Sequence, residues 1–274
     1  MARTIADMRT AEPVRAGTAV WDIAVPAGPS RLPGVSMAGF RDRSDDLVDI
    51  DVVPYPAVTL VVDLGDGIVV DDATGRQRRG SVVAGIAPGA IRGSGRDIEV
   101  LQIRLSPLVT QAAELSGTVI TLEDLWGRDA ARVQERLCAT KSWDDRFAIA
   151  EAALAGRLDV KADPEVQFIW RRMVRSRGQS RIEELADEVG WSRKRLWSRF
   201  RGQIGLTPKR AAQLIRFDHA AHRLAAGQRA SLVAVESGYV DQSHLNRDVM
   251  AFTGVTPMTV AAAPWLAVDD VAWP

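Results

Sequence analysis

Apolar positions follow two different periods along this 274-residue chain. In the first 160 residues they come in short runs, at 19–25, 35–40, 57–64, 68–70, 81–86 and 98–105, separated by Gly, Pro and Asp. Runs of that length bounded by turn formers read as strands, so a compact β domain is expected. Asp66-Gly67, between the apolar runs at 58–62 and 68–70, predicts a hairpin, because Gly readily takes positive φ. After Ser106 the period becomes helical: Leu108, Ala112 and Leu115, then the stretch 122–137, then Phe147, Ala150, Leu154 and Leu158. Phe147, Leu154 and Leu158 fall close to seven-residue spacing, which fits either a helix pairing across a homodimer or a helix docked on the β domain.

Between 182 and 257 one pattern occurs twice, 48 residues apart. The first copy reads Ala186-x-x-x-Gly190-Trp191-Ser192, Leu196, Phe200 and Gly205-Leu206-Thr207-Pro208. The second reads Ala234-x-x-x-Gly238-Tyr239, Leu245, Val249 and Gly254-Val255-Thr256-Pro257, with one extra residue between its parts. Each copy predicts a short helix, a glycine turn and a second helix: alanine lets two helices cross closely and glycine supplies the left-handed residue of the turn. Ser192 and Asp241 are expected to cap the second helices. The stretch 208–226 puts Ala211, Leu214, Ile215, Phe217, Ala221 and Leu224 on apolar stripes of a joining helix roughly 30 Å long. That length suits two helices entering successive major-groove faces about 34 Å apart on B-DNA.

Charge changes the picture once the zero net balance is divided. Residues 164–262 hold 16 Lys and Arg against 9 Asp and Glu, a balance of +7, whereas residues 1–163 hold 19 against 24, a balance of −5. Arg193, Lys194, Arg195, Arg199, Arg201, Lys209 and Arg210 crowd behind the first turn, where phosphates of bound nucleic acid would lie.

These residues carry a resemblance. The segments 185–192, 205–208 and 238–247 resemble, at matching spacing, the signature segments of the double helix-turn-helix domain of the AraC/XylS family of bacterial transcription regulators, over about 95 of 274 residues. The resemblance implies an α+β chain: a β-rich, barrel-like, cupin-like effector or dimerisation domain at 1–160 and an all-α DNA-binding domain at 161–262 with two helix-turn-helix units joined by a long helix; the tail at 263–274, with Trp265 and Trp273, has no counterpart in that family and is free to dock on the β domain. It places base contacts on Lys194, Trp197 and Ser198, then on Gln242, Ser243 and Arg247. Arg193, Arg195, Arg199, Arg201, His244 and Asn246 join them on the DNA-facing surface. The chemistry is suitable, since Arg or Lys donates to guanine O6 and N7 and Gln pairs with adenine N6 and N7. Trp197, one residue beyond core Leu196, is either a base contact or a cover for the scaffold. Trp191 and Tyr239, directly after the turn glycines, read as packing residues.

The implied function is a sequence-specific regulator of transcription, commonly an activator working with RNA polymerase, with double-stranded DNA as partner and a small-molecule effector in the β domain. Repression is equally compatible with the residues. The alternative is a ligand-independent regulator whose β domain binds a protein partner and whose DNA contacts are largely non-specific. Trp21, Phe40 and Tyr55 are the aromatic candidates at an apolar barrel mouth; no effector contact is otherwise assigned.

Other classes find little support. No phosphate-binding loop, no G-x-S-x-G elbow and no neighbouring His and Cys are present, so an enzyme is not expected. Cys138, the only cysteine, lacks the flanking Pro and His-Arg of an alkyl-accepting thiol and reads as an inert packed side chain. His219 and His222 form H-x-x-H without a third ligand and read as a solvated helix face; neither metal nor cofactor is expected. No apolar stretch has bilayer length and residues 1–20 lack an apolar centre, so membrane insertion is not expected and the cytoplasm is the expected compartment.

Overall fold

The computed structural model describes residues 13–16, 19–44, 46–87, 89–158 and 162–273. The expected domain boundary at 160/161 lies outside the described residues. The N-terminal part begins with β1 (Val14–Ala16), β2 (Ala19–Ala24), β3 (Val35–Asp42), β4 (Val48–Val52), β5 (Val58–Asp63) and β6 (Val69–Asp71). It continues through β7 (Gln77–Arg79), β8 (Val82–Ala84), β9 (Ile91–Gly95), β10 (Glu99–Leu105), helix α1 (Ala112–Leu115) and β11 (Val119–Thr121). Helices α2 (Leu122–Trp126), α3 (Asp129–Cys138) and α4 (Trp143–Ala155) follow. The strands form a seven-stranded sheet, β1-β2-β3-β10-β5-β8-β11, and a four-stranded sheet, β4-β9-β6-β7.

The larger sheet is buried on both faces. Along β10, Val100 and Gln102 turn toward the smaller sheet, while Leu101, Ile103 and Leu105 pack with Leu137 of α3 and Phe147 and Leu154 of α4. A strand covered on both sides can be apolar on both of its faces, which is why β3, β5 and β10 read as largely apolar runs without strict alternation. Gly39 on β3 shows how closely α4 lies: a Cβ there would sit 2.3 Å from ring carbons of Trp143. Phe147 and Leu154 are thus spent inside the chain and Leu158 lies half-buried beside them, so docking on the sheet accounts for their spacing.

The hairpin expected at Asp66-Gly67 is not formed. β5 pairs with β10 and β8, whereas β6 pairs with β7 and β9 of the other sheet. The Asp63 carboxylate accepts from the backbone N–H groups of Gly65 (3.1 Å) and Ile68 (3.3 Å), and Gly67 has φ +99°. The turn chemistry is there, but it makes a corner between sheets. Cys138 also differs from expectation: it is exposed at the end of α3 instead of packed.

The C-terminal part contains α5 (Pro164–Arg175), α6 (Ile182–Glu188), α7 (Arg193–Ile204), α8 (Pro208–Ala225), α9 (Ala230–Glu236), α10 (Gln242–Thr253), α11 (Pro257–Ala261) and α12 (Pro264–Ala272). Helix α8 buries Ala211, Leu214, Ile215, Phe217, Ala220, Ala221 and Leu224. Phe217 stacks on Phe252 of α10 at 5.0 Å. The tail is helical and docks back on the β domain: Trp265 packs on Trp21 and Phe40, with ring centres 5.8 and 5.2 Å away.

His222 is not on a solvated face. Its Nδ1 meets the Asp218 carbonyl at 2.8 Å and its Nε2 meets Oδ2 of Asp269 on α12 at 2.8 Å. Asp269, 1% exposed, is also ion-paired with Arg104 of β10. Burial works against charge on the imidazole, but the hydrogen bond to Asp269 and the field of Asp218 outweigh it and push the His222 pKa up to about 9. Burial holds the Asp218 carboxyl up at about 6.

A histidine raised in this way stabilises the fold fully below its ordinary pKa, near 6.5, and loses that contribution as pH rises through about 9. The raised Asp218 acts lower, its contribution falling between about pH 4 and 6. The melting temperature should therefore drop between pH 7 and 9.5, and the drop should be smaller in His222→Gln; calorimetry showing equal slopes in the two proteins would contradict the assignment.

Candidate nucleic-acid interface

The two copies of the sequence repeat fold in the same way. In the first, α6 ends at Gly190, φ +65°, and the backbone N–H of Trp191 donates to the Ala186 carbonyl at 2.9 Å. In the second, α9 ends at Gly238, φ +77°, and the N–H of Tyr239 donates to the Ala234 carbonyl at 2.9 Å. Trp191 and Tyr239 are both buried, as packing residues. Ser192 Oγ accepts from the N–H of Arg195 at 3.2 Å to start α7, and Asp241 Oδ1 accepts from the N–H of His244 at 2.7 Å to start α10. Both helices close on left-handed glycines, Gly205 and Gly254, after which Thr207 and Thr256 cap α8 and α11.

Burial then sorts each second helix into an inner and an outer face. Leu196, Phe200 and Ile204 of α7 are buried, as are Leu245, Val249 and Phe252 of α10. The outer face of α7 exposes Arg193, Lys194, Arg195, Trp197, Ser198, Arg199 and Arg201; Trp197 keeps 44% of its surface open. That of α10 exposes Gln242, Ser243, Asn246 and Arg247, with His244 half-buried and its ring edge-on to Tyr239 at 5.2 Å. Among the described residues Lys194, Trp197, Arg201 and Gln242 hold no side-chain partner within the protein, so their polar groups are available.

Not every basic side chain on this surface is equally available. Arg199 is held by Asp163, the residue ahead of α5, through Nε at 2.8 Å and Nη2 at 2.6 Å. Arg195 stacks on Trp191 at 4.8 Å, and Arg193 lies 3.7 Å from Glu183 in an exposed pair of little strength. Arg210 stacks on Phe252 at 3.7 Å and donates to the Ala251 carbonyl, so it braces α10 on α8. Arg247 Nε leans on the carbonyl of Ser243 at 3.4 Å. The sequence reading missed Asp248. It is buried on α10 and faces Arg216 (3.3 Å) and Gln213 (3.4 Å) of α8, while Arg216 lies over the Tyr239 ring at 4.6 Å. A carboxylate next to core Val249 was the available signal.

A helix-turn-helix domain family matches residues 185–263. The chain carries an AraC-type helix-turn-helix domain. No curated protein matches the chain. Among solved structures, ToxT from Vibrio cholerae is similar at 12% identity over 85% of this chain and 98% of that one, with a TM-score of 0.50; the likeness is one of fold, a β-rich part followed by a helical part. An unsaturated-fatty-acid-bound form of ToxT gives 10% identity, 86% and 98% coverage and a TM-score of 0.49. The C-terminal domain of AraT, a response regulator from Geobacillus stearothermophilus, gives 19% identity over 36% of this chain and 85% of that one, with a TM-score of 0.35. No helix among the described residues is long and apolar enough to cross a membrane.

The two caps set where α7 and α10 begin. Ser192→Ala and Asp241→Ala should each cost about 0.5–2 kcal/mol in urea unfolding. Full stability in both variants would show that neither side chain fixes its helix.

Proposed function

We propose that this chain is a sequence-specific transcription regulator that inserts α7 and α10 into two adjacent major-groove segments. The observation that carries it is the repeated outer face: two capped helices on one scaffold, each directing polar and basic side chains away from its core. In this reading Lys194, Trp197 and Ser198 meet bases from α7, and Gln242, Ser243 and Arg247 from α10. Arg193, Arg195, Arg201, His244 and Asn246 lie where phosphates pass. Arg199 belongs more to the scaffold, through Asp163. Residues 1–160 form the effector domain and 161–262 the reading domain. Activation through contact with RNA polymerase is the mode that the AraC-type resemblance favours.

An effector site is supported by a cavity of about 110 Å³ between the two sheets, with Trp21 and Tyr55 in its wall. Phe40, the third aromatic candidate, packs against Trp265 beside it.

Selection of fragments from the host genome by the purified protein at about 150 mM salt, where non-specific contacts are largely screened, should recover a few sites sharing a motif. Uniform recovery would favour the protein-partner alternative. On a recovered site Arg247→Ala should weaken binding by about 1–3 kcal/mol and relax discrimination at one base pair. An equal loss on all sequences would make Arg247 a phosphate contact.

A further inference from the structure

The cavity between the sheets is apolar in most of its wall, yet it collects polar atoms that the fold leaves unpaired. Trp21 Nε1, Gln102 Oε1, the Tyr55 hydroxyl and Trp265 Nε1 are all buried without a hydrogen-bond partner, and all four residues line it. The Trp265 indole N–H and the Tyr55 hydroxyl do face one another, but in a contact too poor in geometry to satisfy either group. Each buried group left unpaired costs about 1–3 kcal/mol, so native proteins keep few of them. Two N–H donors, one carbonyl acceptor and one hydroxyl in a single cavity wall are a set of groups that a ligand can complete.

Size and charge narrow the ligand. No lining residue is ionisable in the ordinary range, and Arg104 behind the Tyr55 ring is already paired with Asp269, so a carboxylate or ammonium group would be stripped of water with no free counter-ion. A volume of about 110 Å³ is on the scale of cavities that hold a single benzene ring. The occupant is therefore compact, uncharged and mainly apolar, with an oxygen able to receive an indole N–H and a donor able to meet Gln102.

One wall does not belong to the β domain. Trp265 is on α12, the same helix whose Asp269 pairs with Arg104 of β10 and with His222 of α8. Arg104 is held between the rings of Tyr55 at 3.7 Å and Trp273 at 4.2 Å, so a cavity residue and the joint between domains share one guanidinium. A ligand touching Trp265 binds the docked state of α12 more tightly than the undocked one. By linkage it must then strengthen docking by the same factor.

We propose that helix α12 completes a site for a compact, uncharged, hydrogen-bonding ligand between the two sheets, and that filling this site tightens the joint between the β domain and α8. This rests on reading the N-terminal part as an effector domain and is independent of which bases α7 and α10 contact.

The full-length protein is titrated with phenol, cyclohexanone and benzoate at pH 7.5, followed by calorimetry and by hydrogen exchange of residues 265–272. At least one neutral probe should bind saturably and slow exchange in α12 at least threefold, while benzoate does neither. Trp265→Ala should weaken the neutral probe at least tenfold. Asp269→Asn, which keeps the wall but loosens the joint, should weaken it less; circular dichroism checks that both variants fold. Equal affinity in Trp265→Ala, equal binding of benzoate, or no binding by either neutral probe overturns the proposal. Fragment selection on the same preparation keeps the two readings apart: specific selection without probe binding sinks only the ligand site, and probe binding without selection sinks only the DNA reading.

Discussion

Burial of helix α8 is the constraint on which the rest of the structure depends. Its buried residues face both helix-turn-helix units at once, so neither unit has a core of its own. Asp248 with Arg216 and Gln213, and Phe252 with Phe217 and Arg210, fasten α10 to it. A buried carboxylate held by a guanidinium and an amide is costly to leave unpaired, which disfavours other angles between α8 and α10. The placement of α7 and α10 thus follows from packing, with little left to the flexibility of a linker.

The same helix carries the joint to the β domain. His222 reaches Asp269, Asp269 reaches Arg104, and Trp265 one helical turn earlier seals the wall between the sheets. Helix α12 is therefore the last piece of two cores, that of the C-terminal helices and that of the β-rich part. The larger sheet can accept it because its outer face is already covered by α3 and α4, leaving its inner face for the cavity and α12.

What the sequence made legible was whatever depends on local chemistry. Ala186, Gly190, Ser192, Gly238 and Asp241 announce their turns and caps because each is demanded by backbone geometry within a few residues. The six apolar runs show because strands covered on both faces keep few polar positions among their Val, Ile and Leu. Strands β4, β7 and β9 did not show: they are short and carry Asp49, Asp51, Arg78, Arg79 and Arg92, and only pairing with distant partners makes them strands. The corner at Gly67 was misread as a hairpin because Asp-Gly fixes a turn and not the sheet that the next strand joins. The His222 pair, the Arg199 pair and the packing of Trp265 were not foreseen, for one common reason. Their partners Asp269, Asp163 and Trp21 lie 47, 36 and 244 residues away, beyond any periodicity.

The central claim is that one chain reads two adjacent major-groove segments, and methylation interference on a selected site tests it most directly, with the number of bound chains measured on the same complex. The account predicts two groups of interfering guanines or adenines one helical turn apart for each bound chain, one group lost in a Lys194→Ala, Trp197→Ala double variant and the other in Arg247→Ala. A single group per chain, or two groups that appear only when two chains are bound, would contradict it.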